Sequence, residues 1–234
     1  MQKGKLFLVP VTIGGSIKGS IPSKNFEILE NIDYYIVENI KTAVSFLKQS
    51  GISKKINEIQ FFVFSKKIME NDLTLYLKPA LEGKHIALMS ESGTPCIADP
   101  GEEIVSTAHS LGIQVVPLVG PSSIILALMA SGLNAESFSF NSYLPISKNN
   151  RVRKIKELER KVNSENQTQI FIEAPQRNDR LADDIIEVCS GTTKLCIAKN
   201  ITMDDEHIET KSIQSWKKSK IIWGKNPVIF ILGR

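Results

Sequence analysis

Short apolar runs alternate with amphipathic segments along the first half of the chain, which predicts strands that alternate with helices. Mostly apolar runs predict strands at residues 5–9, 34–37, 59–64, 85–89 and 113–118. Apolar residues at helical spacing predict helices near residues 23–32, 43–51, 73–81 and 102–111. Because the strands carry few polar residues, both of their faces should be covered, as in a parallel sheet. The pattern predicts a mainly parallel α/β sheet with helices on both sides.

The pattern changes near Gly120, where a turn-rich segment precedes an apolar helix predicted over residues 124–133. An alternating strand at 137–144, a basic helix, a strand at 169–172 and a helix at 175–189 follow. The last strands are predicted at 195–199, 207–213 and 228–232. Their short links are typical of a mixed or antiparallel sheet. We therefore predict an N-terminal α/β domain over residues 1–119 and a C-terminal α/β domain over residues 120–234.

The loop at residues 90–101, Ser-Glu-Ser-Gly-Thr-Pro-Cys-Ile-Ala-Asp-Pro-Gly, connects the fourth predicted strand to the helix behind it. Ligands of open α/β sheets bind at the carboxyl ends of strands, where such loops lie. Gly93 allows a backbone to approach a ligand closely, and the hydroxyl groups of Ser92 and Thr94 can form hydrogen bonds. The same loop also has the features of an ordinary helix start, with Asp99 as N-cap and Pro100 as first helical residue. We expect both descriptions to apply.

Composition narrows the class of protein without identifying a ligand. The 234 residues are 42% hydrophobic and 23% charged, and the net charge of +4 does not by itself indicate nucleic-acid binding. Cys96, Cys189 and Cys196 lack C-x-x-C spacing and the three histidines are scattered, so neither a disulfide framework nor a metal site is expected. No apolar run reaches membrane-spanning length and no cleavable signal pattern is visible, so we expect no membrane association and a cytoplasmic location.

The loop at residues 90–101 also carries a family resemblance. It is similar to the Ser-Asp-Ala-Gly-Thr-Pro…Asp-Pro-Gly signature of the ribosomal RNA small-subunit methyltransferase I family, within the tetrapyrrole methylase superfamily. Other segments resemble further family motifs in the same order along the chain. They are V-P-V-T-I-G at residues 9–14, V-G-P-S-S at 119–123, Y-L-P at 143–145, F-I-E-A-P-Q-R at 171–177 and A-K-N-I-T at 198–202.

This resemblance implies two α/β domains that hold S-adenosylmethionine in the cleft between them, and usually a homodimer. The positions that match cofactor contacts are Pro10, Ser92, Gly93, Thr94, Ile97, Ser122, Ser123, Leu144, Ala174 and Pro227. Plain packing remains an alternative for Leu144, Ala174 and Pro227. A helix N-cap is the alternative for Ser122 and Ser123.

The chain departs from the family motifs where the methyl acceptor would bind. The family's Glu-Asp-Thr-Arg is Glu38-Asn39-Ile40-Lys41 here, and its His before Arg177 is Gln176. The Arg-Glu pair of its Ala-Arg-Glu-Leu-Thr motif is replaced by Lys199-Asn200. The sequence therefore indicates the identity of the methyl acceptor less clearly than the identity of the cofactor.

The resemblance and the chemistry together suggest catalytic residues. A ribose 2′-hydroxyl is a poor nucleophile, and a nearby carboxylate would help to remove its proton. Glu38 and Glu173 match family glutamates and are the predicted catalytic carboxylates, while Arg177 could hold a phosphate. An ordinary surface ion pair or a helix-start acid is the alternative for each.

Basic residues suggest where RNA would bind. The predicted RNA contacts are Lys41, Arg151, Arg153 and Lys154, within a cluster that continues through Lys156, Arg160 and Lys161. A second group comprises Lys217, Lys218, Lys220 and Lys225, beside Trp216 and Trp223, on which a base could stack. A solvated helix face is the alternative for the first cluster, which Glu157 and Glu159 dilute.

These observations lead to one main hypothesis and two alternatives. The main hypothesis is an S-adenosylmethionine-dependent methyltransferase acting on a ribose 2′-hydroxyl of small-subunit ribosomal RNA. One alternative is methylation of a tetrapyrrole or another small acceptor, because one fold can serve several chemistries. The other is a paralogue that binds S-adenosylmethionine without catalysis.

Overall fold

Two five-stranded sheets form the framework, one in each of two units, Met1–Ser122 and Ser123–Arg234. This computed structural model describes residues 2–64, 70–219 and 223–234, with the backbone alone for residues 70–72. Each unit has its own hydrophobic core, so the two are described separately.

The first unit alternates strands and helices, as the sequence predicts. Its elements are β1 (Lys5–Val9), α1 (Ile17–Ser20), α2 (Ser23–Leu29), β2 (Tyr34–Val37), α3 (Ile40–Ser50), β3 (Gln60–Val63), α4 (Glu70–Leu81), β4 (Ile86–Met89), α5 (Glu102–Ser110) and β5 (Gln114–Pro117). The strand order is β3-β2-β4-β1-β5, and every pairing is parallel. The predicted parallel sheet is confirmed, whereas α1 and a 3-10 turn at Ile56–Glu58 were not predicted.

Both faces of this sheet are covered. Consecutive residues of a strand point to opposite faces. Phe7 and Val9 of β1 pack in one cluster with Leu47 of α3, and Leu6 packs in another with Leu77 of α4. The lack of polar residues in the strands therefore follows from burial on two sides.

The second unit contains a mixed sheet. Its elements are α6 (Ser123–Ser131), β6 (Phe138–Tyr143), α7 (Lys148–Glu165), β7 (Thr168–Ile172), α8 (Asn178–Val188), β8 (Lys194–Lys199), β9 (His207–Ser212), α9 (Ile213–Trp216) and β10 (Val228–Gly233). The strand order is β6-β7-β10-β8-β9, with β6 parallel to β7 and the remaining pairings antiparallel. The predicted mixed sheet is confirmed.

Two tryptophans lie in the core of the second unit. Trp216 and Trp223 are 2% and 3% exposed, and their rings meet edge to face with centroids 5.7 Å apart. The Trp216 Nε1 donates a hydrogen bond to the Leu195 carbonyl oxygen at 2.8 Å. The expectation that nucleic-acid bases stack on these rings is wrong, because packing and this hydrogen bond hold them inside.

The longest described helix is α7, with 18 residues. One stripe of the helix is buried, and the rest is strongly polar. Within the described ranges, neither α7 nor any other helix is long and apolar enough to cross a membrane.

Candidate functional site

The loop at residues 90–101 is tied to the loop after β1. The buried Ser90 donates a hydrogen bond from Oγ to the Gly93 carbonyl oxygen at 2.8 Å. The backbone N–H of Val11 donates to the same oxygen at 2.9 Å. Because β1 and β4 are parallel neighbours, their carboxyl ends lie at one edge of the sheet, and these bonds join the two loops there.

Two glycines allow three loops to meet at this edge. A Cβ atom added to Gly93 would lie 3.0 Å from Cγ2 of Ile13 and 3.3 Å from the carbonyl oxygen of Pro121. A Cβ atom added to Gly120 would lie 2.2 Å from Cγ of Pro10. The loops after β1, β4 and β5 therefore interlock through positions where any side chain would push them apart.

The backbone of the loop at residues 90–101 is strained. Cys96 and Ala98 have φ angles of 67° and 62°, in the left-handed region that residues with a Cβ atom rarely adopt. Such conformations cost roughly 1–3 kcal/mol each and cluster at ligand-binding loops. The hydrogen bonds from Ser90 and Val11 to the Gly93 carbonyl oxygen help to hold the loop in this shape.

The helix behind this loop begins later than predicted. The N-cap of α5 is Gly101, with a φ angle of 135°, and the first helical residue is Glu102. The expectation that Asp99 caps the helix and Pro100 starts it is wrong, because the strained loop continues through both residues. Glu102 and Glu103 still place negative charge in the first turn, where the helix dipole favours it.

The predicted cofactor residues of this loop differ in accessibility. Ser92 is exposed, Thr94 is partly exposed, and the apolar Ile97 is 53% exposed. Gly93 and Pro10 are buried and shape the loops from within. The accessible face of the loop therefore offers two hydroxyl groups and one apolar side chain to a ligand.

The end of β2 brings a carboxylate to the same edge. Glu38 directly follows β2 and is partly exposed. The next residue, Asn39, caps α3 by accepting a hydrogen bond at Oδ1 from the Lys41 backbone N–H at 2.9 Å. The Thr42 hydroxyl donates to the Asn39 carbonyl oxygen at 2.9 Å and lies 3.4 Å from Oε1 of Glu91, which brings this segment next to the loop at residues 90–101.

The predicted residues of the second unit also gather at one sheet edge. Strand register aligns Tyr143 with Ile172, and Ile172 with Ile229, while Val228 pairs with Lys199. The carboxyl ends of β6, β7 and β8 and the amino end of β10 therefore share an edge. The predicted site positions found there are Leu144, Glu173, Ala174 and Pro227, and Asn200 lies at the same edge.

Glu173 and Arg177 form an ion pair at this edge. The Glu173 side chain is 1% exposed, and its Oε1 accepts hydrogen bonds from the Ala174 N–H at 2.7 Å and from Arg177 Nε at 2.9 Å. Arg177 Nη2 donates to the same oxygen at 2.5 Å. The Arg177 side chain is 31% exposed. The carboxylate thus orients a guanidinium that solvent can reach.

A cluster of asparagines lies beside Pro227, and sequence reasoning missed two of its members. Asn178 Nδ2 donates to the Asn226 carbonyl oxygen at 2.7 Å, and Asn200 Nδ2 donates to Asp205 Oδ2 at 2.7 Å and to Asn226 Oδ1 at 3.2 Å. Among the described residues, the buried Oδ1 atoms of Asn178 and Asn200 have no hydrogen-bond partner. The Asn-Pro pair before the last strand was the available signal for Asn226.

Leu144 lies in the core of the second unit, which favours the packing alternative for it. Ala174 is partly exposed and Pro227 is exposed, so both are accessible at the edge. Ser122 and Ser123 are partly exposed just before and at the start of α6.

Arg151 is buried, which argues against the RNA contact predicted for it. Its side chain is 3% exposed, its Nε donates to Asp184 Oδ2 at 2.7 Å, and its Nη1 donates to the carbonyl oxygens of Pro145 and Ile146. Arg151 precedes the buried Ile155 by four residues, so helical spacing was the signal that it faces inward.

The other predicted RNA contacts lie at the surface. Lys41 and Arg153 are exposed, whereas Lys154 pairs with Glu157 at 2.8 Å. In the second basic group, Lys220 lies outside the described residues. The exposed members of that group are Lys217, Lys218 and Lys225.

Comparison with known proteins identifies the family. A family model for tetrapyrrole (corrin/porphyrin) methylases matches residues 25–216, most of the chain. The chain belongs to the tetrapyrrole methylase family. It is a methyltransferase whose methyl donor is S-adenosylmethionine. The resemblance carried by the sequence motifs is thereby confirmed.

Relatives of this tetrapyrrole methylase include proteins named ribosomal RNA small subunit methyltransferase I. The one from Vibrio cholerae is 33% identical over 87% of this chain and 67% of its own length. That from Buchnera aphidicola subsp. Baizongia pistaciae is 31% identical over 99% of this chain and 76% of its own length. The similarity therefore extends through both units.

Solved structures confirm the fold of the tetrapyrrole methylase. The uroporphyrin-III-C-methyltransferase from Thermus thermophilus superposes with a TM-score of 0.56 at 18% identity, covering 100% of this chain and 93% of that one. The precorrin-6Y methylase from Archaeoglobus fulgidus gives a TM-score of 0.58 at 14% identity, covering 99% and 98%. At such identities the likeness concerns the fold alone.

Proposed function

We propose that this tetrapyrrole methylase transfers a methyl group to a ribose 2′-hydroxyl of small-subunit ribosomal RNA, in the cytoplasm and as a homodimer. The observation that carries the proposal is the similarity to proteins named ribosomal RNA small subunit methyltransferase I, at 31–33% identity over 87–99% of the chain. The motifs of that family occur in order from the first strand to the eighth, so the proposal rests on the whole chain.

We infer that the domains predicted over residues 1–119 and 120–234 each contribute cofactor contacts. The loop at residues 90–101 suits S-adenosylmethionine because Gly93 lets it pack against the loops after β1 and β5, while the accessible Ser92 and Thr94 offer hydroxyl groups to the polar parts of that molecule. The exposed Ile97 offers apolar contact to an adenine ring. Pro10 and Gly93 shape the first-unit contact surface. The further proposed contacts are Ser122, Ser123, Ala174 and Pro227, with Leu144 supporting them from the core.

The proposed chemistry requires alignment and removal of one proton. When bound, the cofactor supplies a methyl group that is already activated on a sulfonium. We assign proton removal from the acceptor hydroxyl to Glu38, a partly exposed carboxylate at the edge that carries the loop at residues 90–101. Arg177 is positioned by Glu173 to hold a phosphate of the acceptor. Glu173 therefore acts through Arg177.

The alternatives receive less support. The solved structures of the uroporphyrin and precorrin methylases are at most 18% identical to this chain. They support the fold and give no support for a tetrapyrrole acceptor. The non-catalytic alternative rests on the changes at residues 39–41 and 199–200. In the structure, Asn39 caps α3 and Lys199 pairs with Asp205 at 3.6 Å, so these residues have structural partners.

Transfer of a labelled methyl group tests the proposed function. The purified protein is incubated with labelled S-adenosylmethionine and small ribosomal subunits that lack the modification, with fully modified subunits as control. We expect label on one ribose of the RNA in the first sample and none in the second. Cofactor binding without label on RNA would contradict the proposal, as would label on a small tetrapyrrole instead. Light scattering of the same preparation tests the homodimer.

A further inference from the structure

One exposed face of α7 carries a row of polar and cationic side chains. Its residues recur three or four positions apart, so they lie in line along the helix. The row consists of Asn149, Arg153, Lys156 and Arg160, all exposed. Over this span the helix rises about 16 Å, at 1.5 Å per residue.

This row lines a groove with a volume of about 620 Å³. Two valines contribute apolar surface to it, Val152 from α7 and Val188 from the end of α8. The groove therefore combines cations, one amide and an apolar surface. We call it the α7 groove.

Among the described residues, no carboxylate forms an ion pair with Arg153, Lys156 or Arg160 of the α7 groove. Glu159 also lines the groove, but its Oε1 accepts hydrogen bonds from the Ser190 N–H at 2.7 Å and from the Thr193 hydroxyl at 2.6 Å. The loop between α8 and β8 thus holds this carboxylate, and the groove keeps three cationic side chains for a ligand.

Three other cations of the same helix pair with carboxylates. Arg151 pairs with Asp184 at 2.5 Å, Lys148 pairs with Glu187 at 3.2 Å and Lys154 pairs with Glu157. The helix therefore separates its positive charges by face. Within the described residues, the three cations of the row form no ion pair, which favours a polyanionic ligand.

The position of α7 connects the groove with the proposed acceptor edge. The helix follows β6, whose carboxyl end lies at the edge that holds Glu173 and Arg177, and it leads back to the start of β7. Asn149 lies at the end of the helix nearest to this edge, and Arg160 lies farther along. A chain-like ligand in the groove would thus extend away from the edge.

We propose that the α7 groove binds the phosphodiester backbone of the RNA segment beside the methylated nucleotide. The inference rests on the proposed function. Three cations spaced over about 10 Å of the helix match a ligand with repeated charges, and the two arginines can each clasp a phosphate with two hydrogen bonds. The Asn149 amide can pair with a 2′-hydroxyl, and the valines can contact ribose carbons.

A triple substitution tests the groove. Arg153→Gln, Lys156→Gln and Arg160→Gln remove its charges together, and the matched control Lys48→Gln, Lys84→Gln and Lys194→Gln removes three exposed charges elsewhere on the chain. Binding of unmodified small-subunit RNA is measured by fluorescence anisotropy at several salt concentrations. We expect the groove variant to bind about tenfold or more weakly, with a salt slope lower by about 2 for three lost phosphate contacts. We expect the control to change binding less than about threefold.

Two further measurements separate the possible failures. Equal cofactor affinity and an equal melting temperature in all three proteins would show that the variants are folded. Unchanged RNA affinity and salt slope in the groove variant would overturn the inference, even if the wild type labels RNA. If the wild-type protein transfers no labelled methyl group to small-subunit RNA, the proposed function is contradicted. The RNA affinities would still show whether the α7 groove binds RNA.

Discussion

At the scale of single residues, the ion pair between Glu173 and Arg177 changes which group should remove the acceptor's proton. Oε1 of Glu173 accepts three hydrogen bonds, and the accessible surface of this side chain is small. Glu38 is partly exposed at the edge beside the loop at residues 90–101. The two glutamates that match the family motifs therefore have different proposed roles.

We expect Glu38→Gln to reduce the rate of methyl transfer by about 100-fold or more, because a general base typically contributes a factor of 10² to 10⁴. Cofactor affinity should stay within about twofold, measured by calorimetry. Glu58→Gln is the matched control, since Glu58 is exposed near the opposite end of the neighbouring strand β3. A full transfer rate in Glu38→Gln would show that this carboxylate is not the base.

We expect Glu173→Gln to act differently, because it removes the charge that orients Arg177. The KM for RNA should rise more than the kcat falls, since a positioning residue affects binding of the acceptor. Steady-state kinetics with varied RNA concentration separates the two parameters. A fall in kcat at constant KM would instead support direct participation of Glu173 in the chemical step.

At the scale of elements, a buried ion pair joins three segments of the second unit. Arg151 of α7 binds Asp184 of α8 and the carbonyl oxygens of residues 145 and 146, which connect β6 to α7. This arrangement fixes the start of α7 next to the proposed acceptor edge. The predicted role of Arg151 at the surface is replaced by one in holding elements together.

We expect Asp184→Asn to lower the free energy of unfolding by about 3–5 kcal/mol, because it leaves the Arg151 charge buried without its partner. Asp183→Asn changes the exposed neighbour and should stay within about 0.5 kcal/mol of the wild type. Urea unfolding followed by tryptophan fluorescence measures both, since Trp216 and Trp223 lie in the core of this unit. Equal losses in the two variants would contradict a structural role for the pair.

At the scale of the whole molecule, the three cysteines report on the packing of both units. Burial raises the pKa of the Cys96 thiol to about 11, helped by the charges of Asp99 and Glu102. Burial also raises the pKa of Cys189 to about 12, and the pKa of Cys196 rises for the same reason. Deprotonation therefore requires a pH well above the usual thiol value of about 8.5.

We expect all three thiols to react slowly with iodoacetamide at pH 8, since the reactive thiolate is scarce below these pKa values. Reaction should become fast in urea, and in the folded protein the rate at Cys96 should rise as the pH approaches 11. Lys24→Cys adds a thiol at an exposed position and serves as the reactive control. Rapid labelling of any native cysteine at pH 8 would contradict the packing described here.

Periodicity along the chain determined the main strands and helices and both sheet types, because repeating apolar positions specify which kind of element can bury one face or two. The sequence motifs, which lie in loops at strand ends, indicated the family. Only the tertiary structure decided that Trp216 and Trp223 are buried and that Arg151 pairs with Asp184. It also decided that Gly120 lies against Pro10. Each of these depends on what packs against a side chain from a distant part of the chain, and local pattern carries no information about that partner.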